Sequence, residues 1–355
     1  MLPRWVKVGV IAAVVLAAVG YFAQPYAKDW WLAREACGGA LPDEAVDALM
    51  PDDEHLTSEY EYVSKEMGAY SCALGYSDDF RNRGITAVAY TDRDSQDLMM
   101  RSAFHRGTAQ EVGALPEGLP GFVDEGRRTV RLLQTCPDLG KDAEGRPRRL
   151  LVRTSASGAL MKEAPDALLR TAVAVTNEAS RKLGCGAEPV KAPDRALSQR
   201  PEPVRISASA GTPCGWLAGA KLPREAEWRV GIDANDAAPV SRCELYRKGD
   251  KSPAMRFNAW YGDWSEVPFK KVAAERVSLA GDGGETRPLL TADWGRAKAR
   301  CDAETANFEA SSGGVPGIGG PQLRALLTTF AQDQVKRHGC TDLALPGREV
   351  PAPKH

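Results

Sequence analysis

The eight cysteines of this 355-residue chain form two rows of four with the same order of spacing. The first row is Cys37, Cys72, Cys136 and Cys185, and the second row is Cys214, Cys243, Cys301 and Cys340. The intervals are 35, 64 and 49 residues in the first row and 29, 58 and 39 residues in the second. A short, a long and a medium interval therefore follow one another twice, which predicts one domain present in two copies.

Short motifs around the cysteines repeat in the same order. Cys37 and Cys214 each begin a Cys-Gly pair that leads to Leu-Pro, while Cys72 begins "CAL" and Cys243 begins "CEL". The last cysteine of each row ends the segments "RKLGC" and "KRHGC". Four matched landmarks favour a tandem duplication over a single large domain with scattered bridges, and the chain is long enough for two cores.

The boundary between the two copies is predicted in the segment between the rows. Residues 186–213 are rich in proline, charge and small side chains and lack an apolar period, which is typical of an exposed linker. We place the boundary near Gln199. The predicted division is an N-terminal signal-anchor helix (1–30), a first repeat (31–199), a second repeat (200–345) and a flexible tail (346–355).

Both copies show a comparable order of predicted elements. A short helix is expected at 43–50, and its counterpart at 224–230 is weaker. The order of strand patterns and amphipathic helices in each copy predicts an α+β fold. We expect two tandem similar domains after an N-terminal transmembrane helix, and each domain is expected to be an antiparallel sheet with helices packed on one face. The strand pairs are 70–76 with 85–91, 129–136 with 149–154, 242–247 with 254–261, and 294–301 with 306–310, and the final helices are 164–183 and 321–338.

The cysteines are predicted to form disulfides and not a metal site. The chain has no Cys-x-x-Cys motif and only four histidines, so we predict no metal and no cofactor. If pairing stays within each half and is the same in both, three arrangements remain. The adjacency of the predicted elements favours one of them: Cys37 with Cys72, Cys136 with Cys185, Cys214 with Cys243, and Cys301 with Cys340.

The N-terminus carries the clearest indication of location. Residues 8–23, "VGVIAAVVLAAVGYFA", contain no charge, while Arg4 and Lys7 precede them and aromatic side chains follow. Basic residues before an apolar run and aromatic residues after it predict a single-pass helix with a cytoplasmic N-terminus and the bulk of the chain outside the cytoplasm. Two alternatives are a cleaved signal peptide ending near Gly20 and a buried core helix of a cytosolic protein.

Each half resembles a domain of unknown function that is common in exported actinobacterial proteins. In that domain Cys-x-x-Leu opens a short helix and a second cysteine begins the first hairpin. The matching motifs are Cys37-Gly-Gly-Ala-Leu-Pro with Cys72-Ala-Leu, and Cys214-Gly-Trp-Leu with Cys243-Glu-Leu. The family's domains often begin at a lipidated cysteine, whereas this chain has an apolar segment. The resemblance implies an exported compartment and a fold, and it implies no activity.

Charge and motifs narrow the classes of function. The 46 basic and 47 acidic residues leave a net charge of −1 without a long block of one sign, so no nucleic-acid partner is predicted. The signatures of serine hydrolases, zinc proteases and P-loop proteins are missing from the sequence. The sequence favours a binding or scaffolding role at the cell envelope, with the membrane and an envelope protein or glycan as partners. The alternative is an envelope enzyme, hydrolase-like, with an unfamiliar active site.

One aromatic segment is a candidate binding surface. The segment "NAWYGDWSEVPF" brings Trp260, Tyr261, Trp264 and Phe269 close together in sequence. Such rings can stack on a glycan or contact a partner protein, and the alternative is that they belong to the core or cover a sheet edge.

Two charged segments have competing interpretations. The arginines of "GRPRRLLVR" (145–153) could face an anionic polymer or lipid surface, or they could lie in a solvated turn. The aspartates of "TDRDSQD" (91–97) resemble part of a calcium loop that lacks its glycine turn and later glutamate. A helix cap formed by Asp94 or Ser95 is the alternative.

Overall fold

The computed structural model describes residues 4–52, 54–76, 84–104, 112–124, 128–157, 164–193, 202–223, 225–266, 269, 287–313 and 315–347, with the backbone alone at 4–14, 117 and 225. These residues form an α+β architecture with two antiparallel sheets, which confirms the predicted α+β class. The predicted boundary at Gln199 and residues 348–355 of the predicted tail lie outside the described residues.

The first sheet has seven strands in the order β1-β2-β3-β7-β6-β5-β4, and neighbouring strands are antiparallel. The strands are β1 (Ser58–Ser64), β2 (Ala69–Gly75), β3 (Ile85–Tyr90), β4 (Val112–Ala114), β5 (Gly121–Asp124), β6 (Thr129–Thr135) and β7 (Arg149–Ala156). The helices of this part are α1 (Arg4–Gly39), α2 (Asp43–Leu49), α3 (Arg93–Ala103) and α4 (Pro165–Leu183). Helix α3 packs on the opposite face of the first sheet from α4, so the helices of that half are not all on one face.

The second sheet has the path β12-β13-β14-β11-β10-β9-β8, and β15 pairs with β13 beside that path. Its strands are β8 (Val204–Arg205), β9 (Trp228–Asp233), β10 (Val240–Arg247), β11 (Met255–Tyr261), β12 (Leu289–Leu290), β13 (Trp294–Cys301), β14 (Glu304–Ser312) and β15 (Thr341–Ala344). Helix α5 (Gly320–Arg337) follows β14.

The two sheets share a strand order. The path β1-β2-β3-β7-β6-β5 of the first sheet corresponds to β9-β10-β11-β14-β13-β12 of the second. In each, three strands form a meander, and the last strand before the long helix inserts beside the third strand of the meander. Since two unrelated folds would not share this connectivity, the common order supports the duplication inferred from the cysteines.

All four predicted disulfides are present. The Cα–Cα distances are 5.2 Å for Cys37–Cys72, 4.4 Å for Cys136–Cys185, 5.7 Å for Cys214–Cys243 and 4.2 Å for Cys301–Cys340. In each half one bridge ties the segment before the meander to the second strand of the meander. The other bridge joins a strand end to the residue that follows the long helix, so that the C-terminus of the helix is held against the sheet.

The long helix α4 shows why these segments fold as predicted. Pro165 and Asp166 occupy its first turn and Arg181 its last, and Gly184 ends it in the left-handed conformation with φ 71°. Its buried side chains pack on β6 and β7. Each half thus carries its long helix on the outer face of its sheet.

Seven strands lie outside the predicted strand ranges, namely β1, β4, β5, β8, β9, β12 and β15, and one predicted helix differs. Strands β1 and β9 extend each meander by one strand, and β1 was not predicted because none of its residues is buried. The weak helix expected at 224–230 is a 3₁₀ turn at Glu225–Glu227 that leads directly into β9.

Helix α1 is longer than the predicted anchor and belongs partly to the first half. Its regular backbone ends near Ala36, because Cys37 and Gly38 adopt φ angles of 55° and 68°. Leu32 and Ala36 are buried in the first core, so the predicted boundary at residue 30 falls inside a helix that the core holds. Within the described residues, no helix has both the length and the apolar character needed to cross a membrane, so the structure gives the transmembrane prediction no support.

The two sheets meet through a core of their own. The helix-bearing faces bury separate clusters, whereas a third cluster combines residues of both halves on the opposite faces. Its members are Met99, Met100, Phe104, Val112, Phe122 and Leu151 from the first half and Val240, Trp260, Trp264 and Phe269 from the second. This junction between the halves positions the groups described next.

Candidate functional site

The aromatic segment singled out in the sequence lies at the junction between the halves. Trp260, Trp264 and Phe269 are only 2%, 4% and 2% exposed. Phe104 of the first half lies 4.6 Å from the Trp260 ring and 4.9 Å from the Trp264 ring, measured between centroids. The three rings therefore form core and not an exposed binding surface, which is the second of the two interpretations offered by the sequence.

Tyr261, the fourth residue of that segment, points to the opposite side of its strand. Its ring packs on His338 with centroids 4.1 Å apart, and its hydroxyl donates to Oε1 of Gln334 at 2.7 Å. Burial, followed by the charge of Asp236, raises the pKa of Tyr261 well above its ordinary value. Tyr261 is therefore a neutral hydrogen-bond donor at neutral pH.

The arginine-rich segment of the first half contacts the second half. The Arg146 guanidinium donates to Oδ2 of Asp263 at 2.9 Å, and Arg149 lies 3.5 Å from Asp302 and 3.7 Å from Glu304. Arg146 and Arg149 are thus neither in a solvated turn nor on an open anionic-polymer surface, because acids of the other half occupy them.

Glu304 is the most buried acid at this junction, with 3% of its side chain exposed. One of its oxygens lies 2.8 Å from the Arg93 guanidinium, which belongs to helix α3 of the first half. Burial of a carboxylate is costly unless it is paired, and the two arginines from the first half supply that pairing and fix the β13–β14 hairpin on the first sheet.

Asp263 forms a second polar link across the junction. Its Oδ1 accepts the backbone N–H of Thr305 at 2.9 Å, while Oδ2 accepts from Arg146. Burial by itself would raise the pKa of Asp263, but these hydrogen bonds outweigh it and lower the pKa. The charged form of Asp263 is therefore stabilised by folding.

A small cleft opens beside these ion pairs. It has a volume of about 210 Å³ and takes walls from both halves. Its polar lining side chains are Thr135, Arg149, Asp236, Tyr261, Asp302, Glu304 and His338. Most of these groups already have partners in the chain, which is the pattern of a structural ion-pair cluster. The cleft is the place where a small polar ligand would contact both halves at once.

His338 is the histidine in this cleft. Burial lowers its pKa below the usual 6.5, an effect that the nearby Asp236 opposes. Its Nε2 is buried and has no hydrogen-bond partner among the described atoms. The imidazole is therefore neutral at neutral pH and presents a buried ring nitrogen beside Tyr261.

The aspartate-rich segment caps a helix. The Asp92 side chain accepts the N–H of Ser95 at 2.8 Å and is the N-cap of α3, so the cap residue is Asp92 and not the predicted Asp94 or Ser95. Over the described part of the chain, no group of three or more His, Cys, Asp or Glu side chains is arranged to hold a metal ion.

The sequence indicated some residues of this site and missed others. It singled out the arginines of 145–153 and the aromatic segment, but not Arg93, Glu304 or His338. The only available signal was the hairpin "CDAE", in which Asp302 and Ala303 take φ angles of 52° and 64° as a two-residue turn requires. Nothing in that signal says which surface the hairpin meets.

Comparison of the chain with protein-family models, with curated proteins and with solved structures found no match in any of the three.

Proposed function

We propose that this protein is an extracytoplasmic binding or scaffolding protein of the cell envelope, built from two copies of one disulfide-bonded domain. The observation that carries the proposal is the state of the cysteines, since all eight are paired and none is free. Disulfides of this kind form and persist in oxidising compartments outside the cytoplasm.

The junction supports a scaffolding role. Rings from both halves share one buried cluster, and charged side chains of the two halves pair beside it. Buried contacts of both kinds oppose independent motion of two domains. The outer surfaces of the two halves therefore stay at a fixed spacing, as expected of a scaffold that holds other molecules in place.

We further propose that helix α1 holds the protein at the membrane, with the sheets outside. The described side chains of its N-terminal part include exposed apolar and aromatic groups, namely Val15, Leu16, Val19, Tyr21, Phe22, Tyr26, Trp30 and Trp31. Aromatic side chains of this kind are enriched where a membrane meets water. A partner envelope protein or glycan would then be reached from the membrane surface.

Two measurements on cells test the location. Protease added to cells without a wall is expected to digest the sheets, and a thiol reagent is expected to label the denatured protein only after reduction. Complete protection from protease, or eight reactive thiols without reduction, would contradict the proposal. A cytoplasmically expressed copy of residues 31–355 is the control for thiol labelling.

The second candidate function is an envelope hydrolase. It is favoured by the convergence of Tyr261, Glu304 and His338 on one cleft. A panel of chromogenic esters, glycosides and peptides tests it with the wild type and with His338→Gln. A loss of turnover in the variant, with an unchanged unfolding transition, would favour this candidate over the binding role.

A further inference from the structure

A groove on the first half lies beside helix α1. The residues that line it are far in the sequence from the residues of the junction. It has a volume of about 590 Å³ and is formed by α1, α2 and the chain between α2 and β1. Its lining includes Tyr26, Trp30, Val46, Met50 and Leu56, together with several carboxylates. This volume is within the range of pockets that hold a peptide side chain or a small ligand.

The rim of the groove is acidic. Five of its lining residues are carboxylates, and none of the described lining residues is a lysine or arginine. This is a local excess of negative charge in a chain whose net charge is only −1. One of the five, Asp29, is used within the fold, because it accepts the N–H of Leu56 and contacts His55, both at 2.6 Å. Asp43 and Glu54 are exposed on the rim, where a ligand would meet their carboxylates.

The floor and one wall of the groove are apolar. Val46, Met50 and Leu56 are buried and form the floor, whereas Tyr26 and Trp30 stand in the wall with 68% and 58% of their surface exposed. The Arg34 guanidinium lies 4.7 Å from the Trp30 ring centroid and covers one face of that ring, so an apolar side chain of a ligand would meet the remainder of the ring. The groove therefore has an apolar floor, an aromatic wall and an acidic rim. These features fit a side chain that carries a positive group on an aliphatic stem.

We propose that this groove binds a lysine- or arginine-bearing segment of a partner protein. The methylene stem would lie on the floor, the cation would meet the carboxylates, and an adjacent apolar side chain would contact Trp30. The acidic rim disfavours the other envelope surfaces, since anionic lipids and anionic wall polymers would be repelled. The inference rests on the binding role proposed above and gives its partner a chemical class.

Peptide binding to the purified, oxidised full chain in a non-ionic detergent tests the proposal. The probe is a fluorescein-labelled hexapeptide of alternating lysine and leucine, and its counterpart has glutamate in place of lysine. Fluorescence anisotropy is expected to show saturable binding of the lysine peptide alone, weakened by added salt because exposed charges are screened. Since the assay uses purified protein, its outcome does not depend on where the cell places the chain.

Matched variants locate the binding site. Asp43→Asn combined with Glu54→Gln removes two charges of the rim, and Trp30→Ala removes part of the wall. Each is expected to weaken binding roughly fivefold or more, about 1 kcal/mol at the conversion of 1.4 kcal/mol per tenfold. The controls are Glu44→Gln on the same helix as Asp43, and Trp31→Ala next to Trp30, because neither control residue lines the groove. Both controls are expected to stay within about twofold of the wild type.

Three results would overturn the proposal. They are no saturable binding of the lysine peptide, equal binding of the glutamate peptide, and equal weakening by the groove variants and their controls. Competition with free spermine provides a further test. If spermine binds as tightly as the lysine peptide, the groove takes a small polycation and not a protein segment, and the proposed partner is wrong.

Discussion

Phe104 of the first half lies against Trp264 of the second, with ring centroids 4.9 Å apart and ring planes within 15° of parallel. The two residues are 160 positions apart in the chain, and the contact forms only when the two sheets are brought together. This contact is direct evidence that the halves form one unit, because Phe104 is 2% exposed and also contacts Trp260 and Phe122.

Replacement of Phe104 by alanine should destabilise the whole protein. Removal of a buried ring leaves a cavity at the junction, and such changes cost about 3–5 kcal/mol. Urea unfolding followed by tryptophan fluorescence should show an earlier transition, with the two halves separating before either melts. Leu98→Ala is the control, since Leu98 lies on the same helix α3 and is 69% exposed. An equal effect of the two variants would contradict the role of the junction.

Glu304→Gln should weaken the attachment of the β13–β14 hairpin to the first half. The change leaves the guanidinium groups of Arg93 and Arg149 facing an uncharged amide, and loss of one member of a buried ion pair costs about 3 kcal/mol or more. Thermal unfolding measures the loss. The control is Glu144→Gln, because Glu144 also pairs with an arginine but is 63% exposed, so its expected change is below about 1 kcal/mol.

Removal of the bridge between Cys136 and Cys185 by a double alanine substitution should destabilise the first half. The bridge closes a loop of 49 residues. The loop-entropy model gives about 4 kcal/mol for a loop of this length. Amide hydrogen exchange should increase most at the C-terminal turns of α4, which the bridge holds. Unchanged exchange there, with the global loss present, would mean that the bridge acts on the unfolded chain alone.

Acidification below pH 6.5 should destabilise the second half through His338. Burial lowers the pKa of His338 in the folded chain, so between the folded and the ordinary value of 6.5 the unfolded chain binds a proton that the folded chain does not. Stability therefore falls as the pH falls, by at most about 1.4 kcal/mol per pH unit for one proton. The charged groups around the ring are Asp236, Asp302, Asp333 and Arg337.

The difference in unfolding free energy between pH 7.5 and pH 5.5, compared in wild type and His338→Gln, measures this effect. We expect a smaller pH dependence in the variant. An identical slope in both proteins would assign the acid sensitivity to another group.

Local patterns in the sequence were sufficient for much of the fold. The cysteine rows gave the correct disulfide pairing because each bridge joins elements that are adjacent within one half. The apolar period of 164–183 and the glycine after it gave α4 almost to the residue. Strand β1 was missed although residues 59–62 alternate between charged and aromatic side chains, because no residue of this edge strand is buried and no apolar face marks it. A missed edge strand changes neither the pairing nor the order of the rest.

The sequence by itself determined the fold class, the disulfides and the long helices, since each depends on residues that are close in the chain or on a spacing repeated within it. Only the tertiary structure decided what Trp260, Trp264, Phe269, Arg146 and Arg149 do. A buried ring and a ligand-binding ring have the same local sequence, and an arginine paired across a junction looks like one in a solvated turn. The distinction depends on which surface of the other half lies opposite, and the chain encodes that only through the packing of both sheets at once.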